Sequence, residues 1–234
     1  MSESSHTDAS VTEASEFHHA HIRTFKPRRG RVTQKQNAAL RNLSGPIISV
    51  SDHLLDFDEI WPGIDDVVIE IGFGTGTATV AMAMADRTTG LLAIDVHTPG
   101  VGELLHRIHE ESLSQVRVIE GDAVVVLKQM IPPASLAGVR LYFPDPWPKV
   151  RHHKRRIVQP EYAELMATLV RPGGFWHLAT DIVDYAEQMI EVLDASPAWT
   201  GGLIERPSYR PVTKYESIAL EAGRPITDLI YTRL

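Results

Sequence analysis

Val67-Val68-Ile69-Glu70-Ile71-Gly72-Phe73-Gly74-Thr75-Gly76-Thr77 is the stretch that decides the fold. Its first five residues are a short apolar, β-branched run, the length and composition of a buried strand. The glycines after it let the backbone turn tightly and approach a ligand where a Cβ would clash. Outward from this unit, strand and helix patterns alternate. Ala78 to Ala85 reads as a helix, Leu91 to Val96 as a strand and Val101 to His109 as a helix. Val116 to Ile119 is a third strand, Val124 to Met130 a helix and Val139 to Phe143 a fourth strand. Pro160 to Val170 reads as a helix closed by Arg171-Pro172-Gly173-Gly174, a strong stop signal. Phe175 to Ala179, a helix from Val183 to Leu193 and a last strand near Leu229 to Thr232 complete the pattern. Such alternation predicts an α/β fold with a doubly wound, mostly parallel sheet. Ligand chemistry in such sheets sits at the carboxyl ends of the strands.

With 234 residues, 43% of them hydrophobic, the chain can bury one substantial core. No apolar run is long enough to span a bilayer, and no secretory signal is apparent, so no membrane partner is expected. The absence of cysteine excludes disulfides, thiol nucleophiles and thiolate metal sites, and a cytoplasmic enzyme is expected. Residues 1–21 are polar without an apolar period and are expected to be a disordered tail. Residues 22–45 form a basic N-terminal arm, expected to be flexible, and 46–234 the folded domain.

The formal charge of −7 argues against a uniformly basic surface, but the distribution points elsewhere. Between His18 and Ser51 there is no acid, while Arg23, Lys26, Arg28, Arg29, Arg31, Lys35 and Arg41 all fall there. A second cluster is Lys149, Arg151, Lys154, Arg155 and Arg156. Two cationic blocks on an acidic body would orient a polyanionic partner.

The glycine loop narrows the cofactor. A dinucleotide fingerprint needs glycine at the sixth position, where this chain has Thr77, and no P-loop lysine follows. Asp95 ends the second strand, where a carboxylate suits the paired hydroxyls of a ribose. Glu70, entering the loop, would repel a pyrophosphate and suits a cationic or zwitterionic cofactor; S-adenosylmethionine fits. The alternative for Glu70 is a buried acid capping backbone amides. Asp122 lies just past the third strand, at the adenine end of such a cofactor, and also reads as a helix N-cap.

Phe143-Pro144-Asp145-Pro146-Trp147-Pro148-Lys149 places a carboxylate on a proline-braced loop, and Val150-Arg151-His152-His153-Lys154-Arg155-Arg156 continues it as a cationic run. That arrangement can hold a polyanion while one acid addresses a base. Trp147 is expected to buttress the loop, with base stacking as its alternative. No histidine pair has helical metal spacing with a third ligand, so no metal is expected. His97 reads as structural.

These segments together resemble the bacterial tRNA (guanine-N7-)-methyltransferase family. The resemblance is carried by Glu70 to Gly76, by Ile94-Asp95-Val96-His97-Thr98-Pro99-Gly100-Val101-Gly102, by the acid loop with its basic tail, and by Thr213-Lys214-Tyr215-Glu216, in order over about Pro46 to Leu234. It implies a class I S-adenosylmethionine-dependent fold with a seven-stranded sheet and methylation of the variable-loop guanine at tRNA position 46. It also implies that Glu70, Gly72, Gly74, Gly76, Asp95, Asp122 and Asp145 serve the cofactor, with Asp145 the catalytic carboxylate. Lys149, Asp181, Thr213, Lys214, Tyr215 and Glu216 would line the guanine site, and Arg151, His152, His153, Lys154, Arg155 and Arg156 would meet RNA. Two departures stand out: Asp95 replaces a common Glu, and Ser217-Ile218-Ala219 follows where a basic residue is frequent.

Guanine N7 carries a lone pair at neutral pH, so the reaction needs positioning more than a base. Asp145, then Asp181, would stabilise the charge the ring gains; Glu216 or Asp181 could accept from the N1 and N2 hydrogens. A small-molecule methyltransferase on the same sheet, and an RNA-binding protein with a vestigial pocket, remain alternatives. The basic loop argues against the first, and the intact acids against the second. Monomer and homodimer are not distinguished.

Overall fold

The computed structural model describes residues 22–26 and 30–234. In chain order its elements are α1 (Gln34–Asn42), α2 (Phe57–Ile60), β1 (Val67–Ile71), α3 (Thr77–Ala85), β2 (Gly90–Asp95) and α4 (Thr98–Glu110). There follow β3 (Val116–Glu120), α5 (Ala123–Gln129), β4 (Leu136–Tyr142), a 3-10 turn (Val150–Arg155), α6 (Pro160–Leu169) and β5 (Val170–Thr180). The chain closes with α7 (Val183–Asp194), β6 (Trp199–Ile204), α8 (Lys214–Glu221) and β7 (Thr227–Arg233). The seven strands form one sheet in the order β3-β2-β1-β4-β5-β7-β6. β1 to β5 pair in parallel, whereas β7 runs antiparallel to both β5 and β6. Reversal of β7 has a functional consequence. Its beginning, not its end, lies beside the carboxyl end of β5, so Asp228 comes opposite Ala179.

The sheet is buried on both faces, as a parallel sheet wrapped by helices must be. Period-two alternation sends Val68, Leu91, Ala93 and Val118 to one face, against Val80 and Ala83 of α3 and Val101, Leu104 and Leu105 of α4. Ile69, Leu92, Ile94 and Val139 go to the other, against Val124 and Leu127 of α5, Met166 of α6 and Tyr185 and Met189 of α7. Ala39 of α1 joins the first cluster.

Four elements differ from the sequence expectation. α1 falls inside the basic arm, which shows no apolar period. Its signal is the capping box Thr33-Gln34-Lys35-Gln36, in which both reciprocal bonds are made. The short α2 is likewise additional; Asp56 caps it, accepting from Glu59 N–H. β6 does not read as a strand because Gly201 and Gly202 weaken the pattern. α8 falls where the sequence predicts loop. At the stop signal after α6 the helix ends at Leu169, but β5 begins at once, with an irregular register between Leu136 and Gly138. The expected tail, residues 1–21, and Arg28 and Arg29 of the arm lie outside the described residues.

Candidate active site

At the carboxyl ends of β1 and β2 the glycine loop makes the floor of a cavity. Gly72, Gly74 and Gly76 have φ of 77°, 62° and 73°, a conformation costly for any residue with a Cβ. The tight turn sends the Gly74 N–H to Asp95 Oδ2 (2.8 Å), and the His97 N–H donates to Asp95 Oδ1 (3.0 Å). Loop and strand end are thus locked by one carboxylate. Gly100, at the start of α4, is needed for close approach: a Cβ there would lie 1.9 Å from the Gly74 carbonyl oxygen. His97 precedes α4 as its N-cap residue, and Gly76 opens α3 in the same position. Asp122 caps α5, its carboxylate accepting from Val124 N–H (3.0 Å), and its neighbours Gly121 and Ala123 line the cavity.

Glu70 lies beneath this loop and is 3% exposed. Burial raises its carboxyl most, Arg140 works against that, and the result is a group pushed up to about 7. The Thr79 hydroxyl is near enough to favour the charged form as well, although neither it nor Glu70 Oε2 makes a well-formed hydrogen bond among the described residues. A buried carboxylate with an idle oxygen is an expensive feature unless a cation meets it. The Asp95 carboxylate and the glycine floor line the cavity and fit S-adenosylmethionine, whose ribose hydroxyls need such an acceptor, and Glu70 is buried behind that floor.

The acid loop forms the opposite wall. Phe143 and Trp147, on either side of Asp145, have φ of 51° and 46°. Left-handed backbone at non-glycine residues costs on the order of 1–3 kcal/mol each, so surrounding contacts must hold it. Phe143 N–H donates to Ala179 O (2.7 Å), and Trp147 Nε1–H to Thr24 O (3.0 Å). Trp147 is 7% exposed, with Lys26 Nζ 5.3 Å and Arg155 Cζ 5.0 Å from its ring centroid. It is the buttress expected from sequence. Lys26 N–H donates to Asp145 Oδ2 (2.8 Å), and Thr24, Phe25 and Lys26 join Gly72, Gly74, Asp95, Asp145 and Tyr215 around the cavity. The end of the arm therefore crosses the cofactor site, which no sequence pattern signals.

The basic turn divides into two groups. Lys149, Arg151 and Lys154 are exposed, while His152 packs its ring edge on Trp147 at 6.0 Å. His153 Nε2 stands 3.6 Å from Asp184 Oδ2. Arg156 corrects the expectation that it meets RNA: it is 1% exposed. Its Nε–H donates to Pro146 O (2.8 Å), and its other nitrogens donate to Gln188 Oε1 (2.8 Å) and Asp184 Oδ2 (2.6 Å). Arg156 clamps the acid loop to α7, because a planar fork with several donors can satisfy three acceptors at once.

Of the expected substrate residues, Asp181, Thr213, Lys214, Tyr215 and Glu216 gather near the ends of β5 and β7, whereas Lys149 is exposed at the head of the basic turn. Asp181 follows β5 and accepts from Arg224 Nε–H (2.8 Å). Thr213 caps α8, accepting from Glu216 N–H (3.1 Å), and Lys214 opens that helix. Glu216 departs from the role of base reader. It is 2% exposed, and Arg210 donates to Oε2 (2.5 Å) and Oε1 (3.3 Å). The reason is a buried cluster under the acid loop, for which the sequence carries no spacing signal. Arg210 also donates through Nε and Nη2 to Asp228 (2.7 Å each). His177 Nε2 stands 3.0 Å from Asp228 Oδ1, and its Nδ1 meets the hydroxyls of Tyr142 (2.9 Å) and Tyr209 (3.0 Å). Burial first, then Arg210 and Arg140, hold His177 below its ordinary value against the pull of Asp228. Burial would raise Asp228, but the bonds from His177 and Arg210 outweigh it and keep the carboxyl low.

Among the described residues, no group of three or more His, Asp or Glu side chains could hold a metal ion. No described helix is long and apolar enough to cross a membrane.

The fold and this site define a class I S-adenosylmethionine-dependent methyltransferase. A family model described as "Putative methyltransferase" matches residues 65–229. A tRNA (guanine-N(7)-)-methyltransferase of Streptomyces avermitilis is 48% identical over 91% of this chain and 76% of its own length. One of Bordetella pertussis is 45% identical over 91% of this chain and 85% of its own. The chain belongs to the tRNA (guanine-N(7)-)-methyltransferase family. Among solved structures, the 16S rRNA methyltransferase KamB superposes with a TM-score of 0.56 at 16% identity, covering 77% of this chain and 94% of that one. That likeness shows the shared fold alone.

Proposed function

We propose that the protein methylates N7 of guanine in tRNA, giving 7-methylguanosine, and that its target is the variable-loop guanine at position 46. The observation that carries this reading is Asp145, held on a strained loop at the cofactor cavity with an exposed basic turn directly after it. The near-full-length likeness to enzymes bearing that name supports it.

Glu70 and Asp95 would hold the cofactor's ammonium and ribose, and Asp122 its adenine end. S-adenosylmethionine supplies an electrophilic methyl on its sulfonium. The chain supplies the rest. Guanine N7 needs no general base, so the pocket must fix the ring and offset the positive charge it acquires. Asp145, on the cavity wall, would offset that charge, and Asp181, although paired with Arg224, would accept from the N1 and N2 hydrogens in preference to Glu216, which is buried on Arg210. Tyr215, 43% exposed and lining the cavity, would flank the base. Lys149 would reach the guanine site, while Arg151 and Lys154 would contact phosphates and help offset the few kcal/mol that exposing a base costs.

The test is transfer of labelled methyl from S-adenosylmethionine to unmodified bulk tRNA, with product nucleosides resolved by mass and retention. 7-Methylguanosine is expected, lost in a transcript whose guanine 46 is replaced by adenine. A different methylated nucleoside overturns the site chemistry, and methylation surviving the replacement overturns the position.

A further inference from the structure

We infer that Arg210 is the positioning residue that sets the substrate half of the active site, holding the Thr213–Glu216 motif and the acid loop in one register. The inference deepens the substrate reading above and rests on it. Arg210 comes from the loop between β6 and α8 and is fully buried. One edge of its guanidinium takes both oxygens of Asp228 on β7, and its remaining donors take both oxygens of Glu216 on α8. Its Cζ lies 5.6 Å from the ring centroid of Tyr142 and 5.9 Å from that of Phe143, the residues leading into the acid loop. The end of β4 with the acid loop, α8 and β7 therefore meet on one planar group.

Glu216 shows that this contact competes with local structure. Thr213-Lys214-Tyr215-Glu216 has the spacing of a helix capping box, in which the glutamate would turn back to the N-cap amide. The threonine half is made, but the glutamate carboxylate goes to Arg210 instead. Asp228 carries the constraint onward. With His177 neutral and its proton on Nε2, that N–H donates to Asp228 and the single lone pair of Nδ1 accepts from one of the two flanking hydroxyls, Tyr142 or Tyr209, which ties the end of β4 to the cluster. A buried triad of two acids and one arginine is often no more stabilising than an apolar cluster of the same volume. Its distinctive property is direction: the planar fork fixes the angle between two carboxylates, which an ammonium cannot do.

The test compares Arg210→Lys and Asp228→Asn with the wild-type protein. The second variant keeps shape and carries the test should the first fail to fold. Measured quantities are affinity for S-adenosylhomocysteine, KM for unmodified tRNA, the single-turnover rate at saturating tRNA, and backbone hydrogen exchange. Expected is a single-turnover rate lowered at least 30-fold in Arg210→Lys and about tenfold in Asp228→Asn, with S-adenosylhomocysteine affinity and KM within threefold. Exchange should rise in residues 143–148 and 213–221 and stay unchanged in 72–76. A rate within threefold of wild type in the folded variants, or equal losses in rate and S-adenosylhomocysteine affinity, overturns the inference. So does exchange that rises equally in the glycine loop. The exchange comparison needs no substrate, so it judges the positioning role separately. A wild-type protein that makes no 7-methylguanosine would sink the substrate reading instead.

Discussion

The two halves of the cavity are built by different means. On the cofactor side, the turn from β1 uses glycines for its left-handed backbone, and Asp95 closes it with two backbone bonds made within 21 residues of sequence. On the substrate side, Phe143 and Trp147 take the same left-handed conformation without glycine's freedom. They are held by partners as distant as Thr24, 123 residues away. The first half is a local motif that folds as a unit. The second is an assembly, in which strain at the acid loop is offset by Trp147, Arg156 and the cluster around Arg210. A ligand common to many enzymes can be met by local backbone geometry. A particular base in a folded polyanion requires groups that only tertiary structure can bring together.

Asp145 gives the sharpest test of that division. Asp145→Asn should lower turnover about 10²–10³-fold, the size seen when a single charge-stabilising group is removed, with cofactor affinity within threefold. Equal loss of cofactor affinity would move Asp145 into the cofactor half. Arg156→Ala comes next. It removes a buried fork with three partners and should destabilise folding by about 2–3 kcal/mol in urea titrations, discounted because Asp184 is half exposed. The salt dependence of tRNA binding should stay as it was; a flatter slope would return Arg156 to the RNA surface.

On the cofactor side the signature is a pH profile. Glu70 in the free protein retains its proton up to about 7, and a cation in its place favours the ionised form. Cofactor affinity should therefore weaken about tenfold per pH unit below 7 and level off above it, measured by calorimetry. The stability of the cofactor-free fold has the opposite sign: the raised value stabilises it below 4.5 and that contribution is lost as pH rises to 7. Glu70→Gln should flatten both profiles, and a profile unchanged by it assigns the proton to another group. The smallest effect is expected from Arg151→Ala with Lys154→Ala. The salt slope of tRNA binding should fall by about 0.9 for each phosphate no longer neutralised, with the single-turnover rate at saturating tRNA preserved. A lower rate at saturation would place these exposed cations in the positioning half.

Legibility in the sequence divides along the same line. β1 reads at its observed limits because four apolar residues around Glu70 end in glycine, and β2 to β5 each contain an apolar run that reads as a strand, although β5 starts earlier than its run. α1, α8 and β6 do not stand out, although Thr33-Gln34-Lys35-Gln36 and Thr213-Lys214-Tyr215-Glu216 are both capping signatures. Their hydrophobic patterns are weak because each gives the core little: Ala39 from α1, Ala219 from α8 and Trp199 from β6, an edge strand. Arg156 reads as surface because it sits in a run of cations, and only its partners Pro146, Asp184 and Gln188 show otherwise.

Sequence by itself determined the alternating strands and helices, the glycine turn with Glu70 and Asp95, and the acid loop with its basic sequel. Each rests on spacing along the chain, through backbone periodicity or the conformational freedom of glycine. Tertiary structure alone decided that Thr24 to Lys26 cross the cofactor cavity, that Arg156 is a clamp, and that Arg210 joins Glu216 to Asp228. The last of these depends on the antiparallel insertion of β7, which carries Asp228 to the functional end of the sheet. Burial there leaves each charge no partner but another segment of the chain.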